Sequence, residues 1–200
     1  MLIIGLTGAL ATGKSTVAAM FKRKGAAIVD ADAITRELLT QQKIIKKVAK
    51  AFGDGILLTN KINRIQLASI VFSDPLKLKK LTDILYPEAL RQVKKQISLN
   101  KRKQLIVLDV PLLFESGWDK ITDTSIVVFA KRQQQIKRAQ GRLGLNKTQV
   151  GQRLRHQMPL TQKCALADIL IDNSQTLAHT RKQVDAIIDR LLRRKATKFR

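Results

Sequence analysis

Short apolar runs alternate along this chain with stretches in which apolar residues recur every three or four positions. The runs cover residues 2–7, 26–29, 104–109, 124–130 and 169–171. Each has the length of a strand and little polar character, as expected of strands covered on both faces. Between and after them, the helical spacing predicts helices over 15–24, 33–39, 43–52, 64–72, 75–85 and 177–194. Ile44, Ile45, Val48, Ala49 and Phe52 form one such stripe, which Gly53-Asp54-Gly55 then breaks. Asp74 before Pro75 reads as a helix N-cap, and the leucines at 76, 78, 81 and 85 read as core. Strands alternating with helices give an α/β fold with a five-stranded, doubly wound parallel sheet, carrying a helical insertion.

The turn between the first run and the first helix changes the picture from architecture to chemistry. Gly8-Ala9-Leu10-Ala11-Thr12-Gly13-Lys14-Ser15 spells G-x-x-x-x-G-K-S directly after an apolar strand, with Thr16 following. A backbone that wraps around phosphate oxygens needs glycine where a Cβ would block approach or where φ is positive, so Gly8 and Gly13 have steric reasons to be there. The helix N-terminus that follows adds amide donors and a favourable dipole. Lys14 neutralises β- and γ-phosphates in such a loop, and the Ser15 hydroxyl ligates Mg²⁺.

Composition narrows the partners without choosing one. The chain carries 38 Lys and Arg against 15 Asp and Glu, a net charge of +23. Such a field attracts ATP and other phosphorylated molecules, and would equally hold nucleic acid without sequence preference. Aromatic residues are only 4% and the basic residues are spread along the chain, so stacking platforms for single strands are scarce and specific nucleic-acid binding is not expected. No apolar stretch is long enough to cross a bilayer and no secretory pattern precedes the first strand, so a cytoplasmic protein is expected. One cysteine, Cys164, leaves no internal disulfide and no thiolate metal cluster, and His156 and His179 have no partners at ligand spacing.

In an open parallel sheet, ligands sit beyond the carboxyl ends of the strands, so acids just after strands are the ones to weigh. Asp30-Ala31-Asp32 follows the second strand; in extended backbone its two carboxylates point the same way, and Asp32 is the candidate base for an acceptor hydroxyl. The alternative for either acid is to cap the helix that starts near Ala33. Asp109 ends the third strand, where a carboxylate can hold Mg²⁺ through water beside Ser15 or else bond loop amides. Gln135, Arg138 and Arg142 share a helix face before Gly144 and the Asn146-Lys147-Thr148 stretch, which reads as a lid. Its guanidinium groups can stabilise developing charge and exclude water.

Taken together, these residues resemble the dephospho-CoA kinases. The resemblance runs through Gly5-Leu6-Thr7-Gly8 into Gly13-Lys14-Ser15-Thr16, then Asp30-Ala31-Asp32 with Arg36, and Tyr86-Pro87. It continues through Asp109-Val110-Pro111-Leu112-Leu113-Phe114-Glu115, Gln135, Arg138, Arg142 and Gln157, and closes on Ala167-Asp168-Ile169-Leu170-Ile171-Asp172-Asn173. It implies a single P-loop kinase domain over 1–200, with core segments near 1–40, 103–134 and 165–195, a CoA-binding helical region near 41–100 and a lid near 135–160. It implies ATP-dependent phosphorylation of the ribose 3′-hydroxyl of dephospho-CoA, with Mg²⁺. It places Asp32 near that hydroxyl and Arg142, with Arg138, near the transferring phosphate. Asn173 would flank the adenine, and Arg36, Tyr86, Leu112, Leu113 and Phe114 would serve the acceptor. Two departures stand out: Ala9-Leu10-Ala11-Thr12 fills a loop interior where the family carries more glycine, which requires an unstrained φ at Ala11, and Tyr86 replaces a histidine. A kinase of another nucleoside-like alcohol and a P-loop nucleic-acid binder are the competing expectations.

Overall fold

A computed structural model describes the backbone of residues 1–143 and 157–197, with the side chains there of all but Phe72, Arg142, Leu143 and 194–197. The strands are β1 (Leu2–Gly8), β2 (Ala27–Asp30), β3 (Leu57–Leu58), β4 (Lys61–Ile62), β5 (Leu105–Asp109), β6 (Thr124–Phe129) and β7 (Ile169–Asp172). The described helices are α1 (Lys14–Arg23), α2 (Ala31–Leu38), α3 (Gln42–Phe52), α4 (Arg64–Phe72), α5 (Pro75–Leu99), α6 (Arg132–Leu143), α7 (Leu160–Leu166) and α8 (Leu177–Thr197). They form two compact units, one of residues 1–29 and 100–200, the other of residues 30–99.

The first unit is built on a five-stranded parallel sheet in the order β2-β5-β1-β6-β7. All five strands lie within one or two residues of the apolar runs, and the α/β fold class expected from the sequence is the one observed. Ile4, Leu6, Val107, Ile126, Val128 and Ile171 pack against Val17, Met20 and Phe21 of α1 and Val184, Ile188 and Leu191 of α8. Between such positions the strand faces its other side, where Leu113 lies so close to Gly5 that a Cβ there would stand 2.9 Å from the leucine Cδ2. The register matters for the site: β1 is central, and Leu6 is level with Asp109 on one side and Ile126 on the other. The loop leaving β1 and the carboxylate ending β5 therefore emerge at one edge of the sheet.

In the second unit α2, α3 and α4 pack around α5. Here the structure corrects the sequence reading twice. First, α5 does not stop at residue 85 but runs through Pro87 to Leu99. An interior proline removes one hydrogen bond and crowds the preceding turn, at a cost of about 3 kcal/mol. Leu85, Ala89 and Val93 are all buried at four-residue spacing, and that continuous stripe carries the helix past the proline. Second, Asp30-Ala31-Asp32 is not extended throughout. Asp30 is the N-cap, its carboxylate accepting from the Ala33 amide at 2.9 Å, and α2 begins at Ala31, so Asp32 sits in the first helical turn. The small β3–β4 hairpin, turning on Thr59 and Asn60 at φ of 48° and 62°, also went unforeseen. Gly53, at φ 85°, ends α3 as its position after the apolar stripe suggests.

Candidate active site

The loop from Gly8 to Lys14 folds back on itself through a turn in which the amide and hydroxyl of Thr12 both donate to the Ala9 carbonyl, at 3.3 and 3.0 Å. A Cβ on Gly8 would meet the Val128 carbonyl oxygen at 2.6 Å, so only glycine lets the loop leave the sheet this close to β6. Gly13 sits at φ 91° as the N-cap of α1, and a Cβ there would fall 2.0 Å from Asn173 Nδ2. Both glycines have the steric jobs their spacing predicts. Ala11 does not have the unstrained backbone it was expected to need: its φ is 59°, in the left-handed region. Leu10 and Ala11, with Ile136, pack on the buried Ala139 of α6, and that packing holds the strained turn in place.

The loop is locked from behind. Asn173, buried just after β7, donates its amide to the Thr12 carbonyl at 2.8 Å and accepts from the buried Thr180 hydroxyl at 2.9 Å. Arg138 of α6 donates to the Asn173 carbonyl at 2.9 Å and to the Thr12 carbonyl at 3.5 Å. In front lies a pocket of about 230 Å³ lined by Ala9, Ala11, Gly13, Lys14, Ser15, Thr16, Arg138, Asn173 and Leu177. The amides of Lys14 and Ser15 open α1, where no preceding helical carbonyl can reach them, and no acid stands in that first turn to occupy them. Donors, dipole and glycine-lined backbone thus form a cradle suited to phosphate. Thr180 was missed by sequence reasoning because one threonine in an amphipathic helix carries no signal of its own.

At the mouth of the cradle Lys14 and Asp109 form an ion pair, with side chains 18% and 11% exposed. Ser15 is exposed as the second residue of α1. Among the described residues no three His, Cys, Asp or Glu side chains converge into a metal cage. Behind Asp109 the chain turns through Val110 and Pro111 into Leu112, which is exposed, Leu113, which is wholly buried, and Phe114, which is half-buried. Lys163 of α7, unremarked in the sequence, is also wholly buried, bonded to the Pro111 carbonyl and ion-paired with Glu115. Burial holds its ammonium below the usual lysine range, opposed by Glu115 and reinforced by the charge of Lys14.

The remaining candidates fall in the helical unit or outside the described side chains. Asp32 and Arg36 are exposed on α2, the Arg36 guanidinium 3.8 Å from Asp30, and Tyr86 is half-buried on α5. Arg142 stands in the last turn of α6, but its side chain lies outside the described residues, as do Gly144, Asn146, Lys147, Thr148 and His156. Cys164 is half-buried and reduced, its thiol pushed up by burial, and His179 donates its amide to the Thr176 hydroxyl oxygen.

Comparison with known proteins bears on this geometry. The family model for dephospho-CoA kinase matches residues 2–179. The dephospho-CoA kinase of Carboxydothermus hydrogenoformans is 41% identical over 192 residues, covering 94% of this chain and 93% of that protein. That of Helicobacter pylori is 40% identical, covering 94% and 97%. Among solved structures, TT1252 from Thermus thermophilus superposes with a TM-score of 0.84 at 30% identity, over 95% of this chain and 97% of that one. The dephospho-CoA kinase from Campylobacter jejuni gives 0.68 at 25% identity, over 94% and 96%. A shikimate kinase from Acinetobacter baumannii, at 17% identity and a TM-score of 0.53, shares the fold alone. With the phosphate cradle, its lysine and the parallel sheet already in place, a match that spans the chain leaves one assignment: this protein belongs to the dephospho-CoA kinase family.

Proposed function

We propose that this kinase transfers the γ-phosphoryl group of ATP to the ribose 3′-hydroxyl of dephospho-CoA by in-line displacement, giving coenzyme A. The observation that carries the reading is the cradle: a glycine-built loop locked by Asn173 and Arg138, opening onto a helix start with Lys14 at its mouth. In it the amides of Gly13, Lys14 and Ser15, within the loop of residues 8–16, bind the nucleotide's phosphates and Lys14 neutralises the β/γ oxygens. Asn173, its side chain committed to the loop, flanks the base together with its neighbours. Ser15 and Asp109 offer the oxygen donors that Mg²⁺ takes, the rest coming from phosphate and water, and the ion bound there would neutralise charge on the transferring group.

Asp32 accepts the acceptor hydroxyl's proton or aligns it; Arg36, Tyr86, Leu112 and Phe114 serve acceptor binding, and Leu113, wholly buried, serves it only by anchoring their turn in the core. Arg142 stabilises charge on the phosphoryl group as it moves, and Arg138 supports it from the loop side. Transfer of this kind depends on positioning, which is why the reading turns on a rigid loop. A cytoplasmic location and a purely small-molecule partner set belong to the same proposal.

Purified protein given Mg·ATP and dephospho-CoA is expected to form coenzyme A and ADP in equal amounts, resolved by chromatography. ADP release indifferent to acceptor, or phosphorylation of simple nucleosides in preference to dephospho-CoA in an acceptor panel, refutes the assignment. Asp32→Asn is expected to lose about 10²- to 10⁴-fold in turnover while keeping its ATP affinity; unchanged turnover removes Asp32 from this role.

A further inference from the structure

Lys163 has no accessible surface. A buried ammonium is costly unless it is paired and hydrogen-bonded, and an apolar side chain would fill the same space without that cost. Its bonds connect three segments. The ammonium donates to the Pro111 carbonyl at 2.5 Å and lies 2.9 Å from Glu115 Oε1. The same Pro111 carbonyl accepts the hydroxyl of Thr7 at 3.0 Å, and Thr7 is fully buried in β1 one residue before the cradle's first glycine. The same Glu115 oxygen accepts the Met158 amide at 2.9 Å, just ahead of α7. One buried charge therefore joins the strand that enters the cradle, the turn that leaves Asp109, and the approach to α7. Lys14 is near enough for its charge to act on Lys163.

We propose that Lys163 is a positioning residue for phosphoryl transfer, its ammonium fixing the path of residues 110–115 so that Asp109 stays set against Lys14 and Leu112 to Phe114 hold their places. The inference rests on the kinase reading above. The charge is needed because two fixed acceptors, a carbonyl and a carboxylate, must be drawn to a single point from opposite ends of a five-residue turn, and an ammonium's three donors reach both. The same carboxylate oxygen also accepts the Met158 amide, so the ammonium fixes that contact as well. Methionine would fill the volume and release the turn.

The experiment compares the parent protein with Lys163→Met, the double variant Glu115→Gln/Lys163→Met, and Thr7→Val. The single variant strands a carboxylate and loses stability, so it tests little alone. The double variant removes both charges while the glutamine oxygen still accepts from Met158, so its melting temperature is expected to stay close to the parent's. Its kcat is expected to fall about 10²-fold, the loss that follows a small misplacement of reacting groups. ATP affinity, read by displacement of a fluorescent nucleotide, is expected to stay within about threefold, which separates lost positioning from a damaged cradle. Thr7→Val removes the other donor to Pro111 and is expected to lower kcat about tenfold in the same direction, again with ATP affinity held. If the double variant turns over within threefold of the parent, or if its kcat falls only in step with the folded fraction, the proposal is overturned. If the double variant does not fold, Thr7→Val decides: unchanged kcat overturns the proposal. A parent that forms no coenzyme A refutes the kinase reading instead, so the two failures are distinct.

Discussion

Ala11 holds a left-handed backbone, φ 59°, that an L side chain occupies at a cost of about 1–2 kcal/mol. Glycine carries no such cost, although it gives up part of the gain through a more flexible unfolded chain. Ala11→Gly also gives up the methyl packed on Ala139, so it is expected to shift stability by no more than about 0.5 kcal/mol, and Tm by no more than about 2 °C in a calorimetric scan. At Gly13 no such balance exists: the space beside it is filled by Asn173, so that position admits no side chain. The two acids of the Asp-x-Asp segment differ just as sharply. Asp30 is committed to the α2 cap, while Asp32, two residues on in the first turn, is exposed. Their spacing could not reveal this, because a strand and a helix start direct residues two apart to different places.

The elements that sequence made legible are those whose signal is burial. Five strands stood out because a sheet covered on both faces spares no position for polar residues, and α3 and α8 stood out because one stripe of each is apolar. Pro87 hid the second half of α5, since a local rule about proline gave way to the buried stripe of Leu85, Ala89 and Val93. The glycines and lysine of the cradle were legible because loop geometry demands them. Its supports were not: Asn173 was legible only as a neighbour of the base, and Thr180 and Lys163 not at all, because all three act through contacts between elements distant in sequence. Thr180→Val keeps the shape of that side chain but leaves the side-chain amide oxygen (Oδ1) of Asn173 without its donor. It is expected to cost about 1–3 kcal/mol in chemical denaturation and to weaken ATP binding.

A second support, between β6 and the turn before β7, carries a pH signature. The Asp168 carboxylate accepts from the Ser125 amide and hydroxyl, both at 2.7 Å, and these bonds hold it below the usual aspartate range. A depressed folded value contributes stability that is present above the unfolded value of about 3.9 and is lost as pH falls through the folded one. Thermal melts of the parent and Asp168→Asn are accordingly expected to differ at neutral pH and to converge in acid below the usual aspartate range. A gap that persists undiminished into acid would contradict this.

Over the whole molecule the charge of +23 sets how substrates arrive rather than how they react. Both proposed substrates are anions, so the field raises their encounter rate and salt screens it. Raising NaCl from about 0.03 to 0.3 M is expected to lower kcat/KM by roughly tenfold, with kcat little changed. A flat profile would show the basic surface to be irrelevant to capture. Among the described residues no helix is long and apolar enough to cross a membrane.

The cradle is assembled from remote stretches of sequence: its glycines come from residues 8 and 13, its lock from residues 173 and 180. During synthesis the loop emerges from the ribosome long before the asparagine that fastens it. A nascent chain cut off ahead of Asn173 carries every letter of the phosphate motif yet lacks the brace that gives the motif its shape. The loop is thus expected to take its braced shape only once Asn173 has been made.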